Sequence, residues 1–247
     1  MDSPTYALSV IQKHLKQSDS AQTGRGFVAL ELGPGDSVGS ALIAQALGAS
    51  RCYLVDAGEF AIKDMQAYRA FADELRALAV PCIDIQDCDT IDALLQACGG
   101  VYLTSGLASL QQIPANSVDF IWSQAVLEHI RAAEFSATMQ ELKRIMRTNG
   151  VASHRVDLKD HLGGSLNNMR IASKHWEKDW MARSGFYTNR LRFSEMLSVF
   201  QQVGFQVEVA GTDHWVEPPL SRRKLAGEFQ SLSDEDLIIS GFDVVLR

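Results

Sequence analysis

The sequence predicts an α/β fold, a three-layer α-β-α sandwich around a mostly parallel sheet, and three observations predict it. Short apolar runs alternate with stretches of helical periodicity, as strand, helix and strand do in a parallel sheet. The two early runs, residues 27–32 and 51–56, each stop abruptly, one at a glycine loop and one at an acid. A chain of 247 residues with 46% hydrophobic content can also bury one large core without dividing in two.

Taken in order, Leu8, Ile11 and Leu15 fall at helical spacing within residues 5–17, so residues 1–25 read as an amphipathic helix and a polar connector. Residues 27–32 form a buried strand that runs into Gly33-Pro34-Gly35, where glycines supply positive φ and let a backbone approach a ligand. Asp36 or Ser37 is placed to cap the helix that follows, and Gly48 to end it. A second strand over 51–56 ends in Asp56. Met65, Tyr68, Phe71, Leu75 and Leu78, then Ile91, Leu94 and Leu95, mark two helices within 57–100, more than one crossover needs.

Strands follow at 101–104 and 117–122, then a helix at 134–146 closed by Asn149-Gly150, then a fifth strand at 151–156. Residues 157–192 are irregular, rich in Gly, Asn and aromatics, and too long for a plain connection; they read as a lid or acceptor region. A helix at 193–203 with Gly204 as its cap and strands at 205–209 and 242–246 complete a sheet of seven strands. The whole of 26–247 is expected to be one domain.

Charge and cysteine usage narrow the function. A net charge of -7 argues against general affinity for nucleic acid or a membrane surface. Cys52, Cys82, Cys88 and Cys98 show no zinc-site or disulfide spacing, so buried reduced thiols are expected, with no metal. With no signal-like apolar core and no apolar run of about 18 residues, a soluble cytoplasmic protein is expected.

Three stretches resemble the class I S-adenosylmethionine-dependent methyltransferases, in particular the small methyltransferase domains. Glu31-Leu32-Gly33-Pro34-Gly35 is similar to the family's acidic glycine loop, and Asp56 to the acid it places on the ribose hydroxyls. Val118-Asp119-Phe120-Ile121-Trp122-Ser123-Gln124-Ala125-Val126-Leu127-Glu128-His129-Ile130 is similar to the fourth strand and helix start beside its methionine moiety. The resemblance implies a Rossmann-like sheet with an antiparallel C-terminal strand and S-adenosylmethionine as cofactor. It implies a cofactor site of Glu31, Gly33, Pro34, Gly35, Asp56, Ser123, Gln124 and His129. Where the family often has an acid before a Leu-Pro, this chain has Ser109 and Leu110 as the nearest matches, with Leu110 able to pack on adenine.

Elementary chemistry points the same way. A carboxylate can accept both ribose hydroxyls, and Asp56 lies 21 residues after Gly35, about one βαβ unit. The cofactor's ammonium and sulfonium suit an acidic pocket. Gly33, Gly35 and Gly39 also fit a dinucleotide loop, so an NAD(P)-dependent oxidoreductase is the rival, and a non-catalytic cofactor-binding scaffold the third option. Glu31 and the Leu127-Glu128-His129-Ile130 stretch favour the methyltransferase.

Methyl transfer to a hydroxyl needs alignment and a base. Candidate bases lie after and within the fifth strand: His161 with Asp160 after it come first, then His154 inside the strand, with His129 shaping the pocket. Eight Lys/Arg against four acids between Arg155 and Arg192 leave that stretch at +4, interleaved with Trp176, Trp180, Phe186 and Tyr187. The expected acceptor is therefore a small molecule or saccharide with an anionic group, methylated on oxygen. No nucleic-acid or membrane partner is expected, and self-association as a homodimer is left open.

Overall fold

The computed structural model describes residues 3–19 and 26–247; the connector predicted before residue 26 lies mostly outside them. Helix α1 (Pro4–Gln17) starts where Ser3 Oγ accepts from the Tyr6 N–H at 3.2 Å and Pro4 takes the first turn. Strands β1 (Val28–Leu32) and β2 (Arg51–Val55) flank helix α2 (Ser40–Ala46), and helices α3 (Met65–Ala77) and α4 (Ile91–Cys98) precede strand β3 (Gly100–Leu103). A one-turn helix α5 (Leu107–Leu110) leads to β4 (Val118–Gln124), helix α6 (Ala132–Ile145) and β5 (Met146–Asp157). Short helices α7 (Ser173–Trp176) and α8 (Asp179–Ala182), then α9 (Phe193–Val203), β6 (Val207–His214), α10 (Asp234–Ile238) and β7 (Ile239–Leu246) complete the chain.

The sheet has seven strands in the order β3-β2-β1-β4-β5-β7-β6. β1 pairs in parallel with β2 and β4, and β2 with β3, while β6 and β7 pair antiparallel. The Rossmann-like α/β fold expected from the sequence is the fold found. Two local expectations are corrected. Neither Asp36 nor Ser37 caps α2: Gly39 stands at its N-cap without a side-chain bond, and Ser37 Oγ accepts the Gly39 N–H instead, at 3.0 Å. Asn149-Gly150 does not close α6, which ends at Ile145; both residues lie inside β5, the longest strand.

By packing, the chain divides into two compact units, residues up to 124 with 144–153 and 247, and residues 125–143 with 154–246. In the first, Leu30, Leu54, Val55, Ile121 and Trp122 are sealed from solvent together with Leu42 and Ile43 of α2. Each such side chain contributes about 1.5–3 kcal/mol of burial. In the second, Phe135, Met139, Leu142 and Phe200 pack with Phe242 and Val244 as core residues, and Phe135 and Phe200 meet at 6.0 Å between ring centres. A satellite core of Leu166, Met169, Leu220, Leu225 and Leu237 anchors part of the irregular 157–192 stretch.

Candidate active site

The first unit carries the glycine loop. Gly33 and Gly35 both adopt left-handed backbone, φ 74° and 67°, which side-chain-bearing residues reach only at a cost. The Gly33 N–H donates to Val55 O at 2.8 Å, tying the loop to β2. Asp56, one residue beyond β2, accepts the Gly35 N–H at 2.9 Å and the Ala57 N–H at 2.7 Å. Burial raises its carboxyl from the ordinary value and these two amides pull it back. A carboxylate offers about four lone-pair directions, so two remain for a ligand.

Glu31 is fixed by two side chains: its carboxylate accepts from Ser40 Oγ and from Trp122 Nε1, the latter at 3.1 Å. Beside it opens a cavity of about 120 Å³ lined by Glu31, Gly33, Pro34, Ser40 and Gln124, with Tyr6 and Val10 of α1 on another wall. The sequence reading missed that wall. Its signal was His14, three residues after Ile11 on the apolar face of α1. His14 is fully buried, with Nδ1 2.8 Å from Ser153 Oγ and Nε2 3.2 Å from Gln124 Oε1.

The other candidates of this unit are placed as follows. Ser123 is fully buried in β4. Ser109 Oγ accepts the Ser105 N–H at 2.8 Å, closing the turn before α5, and Leu110 is fully buried, so neither side chain lies on an open surface.

In the second unit the turn 127–130 is stitched down from one side. Asn189 Nδ2 donates to Leu127 O and Ile130 O at 2.8 and 3.0 Å, its N–H to Glu128 O at 2.7 Å, and His129 Nδ1 lies 3.1 Å from Tyr187 O. His129 and His161 rings face each other at 4.9 Å, and burial lowers the His129 pKa. His161 is exposed, with Nδ1 3.2 Å from Gly185 O.

Asp160 does not pair with His161. Its carboxylate accepts the N–H groups of Leu162, Ser165 and Asn167, so it organises the turn that follows it. His154 sits fully buried inside β5.

Several members of the expected acceptor face are interior. Trp176 and Tyr187 are buried, while Trp180 and Phe186 are exposed. Arg192, 1% exposed, donates to the carbonyls of Leu158, Asp236 and Ile239. Arg190 donates to Ile171 O at 2.6 Å and lies over the rings of Trp176 and Phe229. These two cations therefore hold the fold and are not offered to an acceptor; Arg170, Lys174, Lys178 and Arg183 are exposed. Glu128, passed over in the sequence in favour of His129, is 2% exposed, and burial pushes its carboxyl up to about 8.

Among the described residues no group of three His, Cys, Asp or Glu is arranged to hold a metal, and no helix is long and apolar enough to cross a membrane. All four cysteines are buried and free.

The family model of the methyltransferase domain matches residues 30–153, the stretch that contains Glu31, the glycine loop, Asp56 and β4. No curated protein matches the sequence. Similar solved structures include phosphoethanolamine N-methyltransferase 2 of Haemonchus contortus, in complex with phosphomonomethylethanolamine and S-adenosylhomocysteine. It shares 11% identity at a TM-score of 0.54, covering 98% of this chain and 52% of that one. The same enzyme bound to S-adenosyl-L-methionine gives the same figures, 11%, 0.54, 98% and 52%. This chain thus spans about half the length of that enzyme. An S-adenosylmethionine-dependent methyltransferase of Mesorhizobium loti shares 15% identity at a TM-score of 0.48, covering 90% of this chain and 92% of that one. Fold, glycine loop and matched residues agree, and the chain belongs to the methyltransferase-domain family, the class I S-adenosylmethionine-dependent methyltransferases.

Proposed function

We propose that this chain transfers a methyl group from S-adenosylmethionine to an oxygen of a small-molecule or saccharide acceptor that carries an anionic group. The observation that carries the cofactor half is the junction of Gly35 and Asp56. A Cβ built on Gly35 meets nothing within 4 Å, so the left-handed loop faces open space, and the Asp56 carboxylate is already aimed at that loop. Asp56 would accept the ribose hydroxyls, and Glu31 would compensate positive charge beside the 120 Å³ cavity that Gly33, Pro34 and Gln124 also line. When bound, the cofactor supplies an electrophilic methyl on a sulfonium. The protein's share is to align the acceptor and take its proton.

For the acceptor, the reading rests on residues 157–192. Exposed Trp180 and Phe186 offer faces for a ring, and exposed Arg170, Lys174, Lys178 and Arg183 offer charge. Of the two exposed imidazoles of that stretch, His161 and His175, His161 is the proposed base, acting without Asp160, while His129 positions it from 4.9 Å.

A thermal-shift comparison tests the cofactor. S-adenosylmethionine and S-adenosylhomocysteine should raise Tm and NAD or NADP should not; the reverse order would mean an oxidoreductase, and no shift with any of them would remove the cofactor site from the proposal. For the acceptor, Lys174→Glu with Lys178→Glu should raise acceptor KM several-fold. Unchanged KM would remove the anionic group from the proposal.

A further inference from the structure

Three buried polar atoms of the second unit make no hydrogen bond among the described residues: Glu128 Oε2, Asn168 Oδ1 and Arg190 Nε. Their residues are 2%, 3% and 6% exposed, and all three line one cavity of about 10 Å³. That volume admits one water-sized atom. A buried polar atom without a partner costs about 1–3 kcal/mol, and native proteins rarely leave one so, let alone three on residues that line one cavity.

The rest of each side chain is already pinned. Glu128 Oε1 accepts the Asp157 N–H at 3.3 Å, and Asn168 Nδ2 donates to Thr188 Oγ1 at 2.8 Å. Arg190 Nη2 lies 2.9 Å from Ser173 Oγ, with its backbone held at φ 62°, a conformation that costs free energy for any residue but glycine. What remains uncommitted is one atom on each of three residues that line the cavity.

We propose that this cavity is a hydroxyl-binding subsite that takes one oxygen, of a water or of an alcohol group on the acceptor, against Glu128, Asn168 and Arg190. The chemistry of the three atoms selects that class. Arg190 Nε only donates and Asn168 Oδ1 only accepts, so the occupant must accept and donate at one atom. A hydroxyl does both. A carbonyl or carboxylate oxygen brings no proton for Asn168, and an ammonium brings no lone pair for Arg190. Glu128 suits either role, because its carboxyl, raised by burial and by Asp157 against the opposing pull of Arg155, keeps its proton at neutral pH. As a site for an acceptor hydroxyl the inference rests on the methyl-transfer reading; as a water site it does not.

Crystals of the full chain, grown at pH 7 without cofactor or alcohol, test it directly. One density peak is expected about 2.7–3.2 Å from the three atoms. The same crystals soaked in methanol then separate the two sources: a methanol whose hydroxyl oxygen replaces the peak assigns the oxygen to an alcohol, and an undisplaced peak assigns it to water. Either result supports the subsite, whereas an empty cavity, or side chains turned to protein partners, overturns it. Because neither result needs methyl transfer, a protein that ignored S-adenosylmethionine would still give a clear answer here. In solution, Asn168→Asp should raise the titration midpoint of Glu128 by about one unit or more, since the new carboxylate would face it across the same space. The midpoint is read from carboxyl carbon NMR and identified by its loss in Glu128→Gln. An unmoved midpoint means the two residues share no site, and the proposal fails.

Discussion

Asp56 and Gly35 act as a pair: the acid holds the loop through the Gly35 N–H, and the loop in turn keeps the acid from rotating away. The pair separates stability from binding. Gly35→Ala should cost about 1 kcal/mol for placing a Cβ at φ 67°, with no clash inside the protein, yet lower S-adenosylhomocysteine affinity more than tenfold. Denaturant melts with calorimetric titration would read both; unchanged affinity would mean that the ligand lies elsewhere. Glu128 supports a second expectation. Its folded pKa lies above the ordinary 4.5, at about 8, so between those values the unfolded chain has released a proton that the folded chain keeps. Stability from this group is complete below pH 4.5 and falls by about 1.4 kcal/mol per pH unit up to pH 8. Glu128→Gln should remove that decline, so its stability relative to wild type should improve by roughly 2–3 kcal/mol between pH 5.5 and 7.5. A constant difference across that range would mean that Glu128 is ionised in the folded protein.

At the scale of elements, the least legible stretch was 157–192. Local signals marked it as irregular, and it is, but its interior residues are set by segments far along the chain. Arg192 stands at the N-cap of α9, where its N–H donates to Glu195 Oε2 at 2.9 Å, while its guanidinium reaches carbonyls of residues 158, 236 and 239. Nothing adjacent to Arg192 announces that. The basic count of the stretch therefore overstated its surface charge, because burial removes Arg190 and Arg192 and Asp213 and Asp243 engage Arg155. Arg192→Ala should destabilise the protein by about 3 kcal/mol or more, leaving buried carbonyls unpaired, whereas Lys174→Ala on the surface should cost less than about 0.5. Chemical denaturation of both variants checks the contrast. Asp160 carries the same lesson at shorter range: beside His161 in sequence, it spends its carboxylate on three backbone amides of its own turn.

For the whole molecule, burial decides what the thiols and the core can do. Cys52, Cys82, Cys88 and Cys98 are each 9% exposed or less, and burial raises the thiols of Cys52, Cys82 and Cys98. A thiol reagent should therefore find almost no reactive group in the folded protein and all four in denaturant; rapid labelling of the native chain would mean local opening around them. Element order, helix faces and the glycine loop were determined by the sequence alone, since periodicity, turn residues and the acid at a strand end act over a few neighbouring residues. The apolar face of α6, with Phe135, Met139, Leu142 and Ile145 all buried, and α9 over 193–203 were legible for that reason. The partners of Arg192, the sealed carboxyl of Glu128 and the place of His14 against Ser153 and Gln124 were decided only by the tertiary structure. Desolvation and long-range hydrogen bonds depend on groups 34 to 139 residues away, and no local pattern encodes which of them will meet.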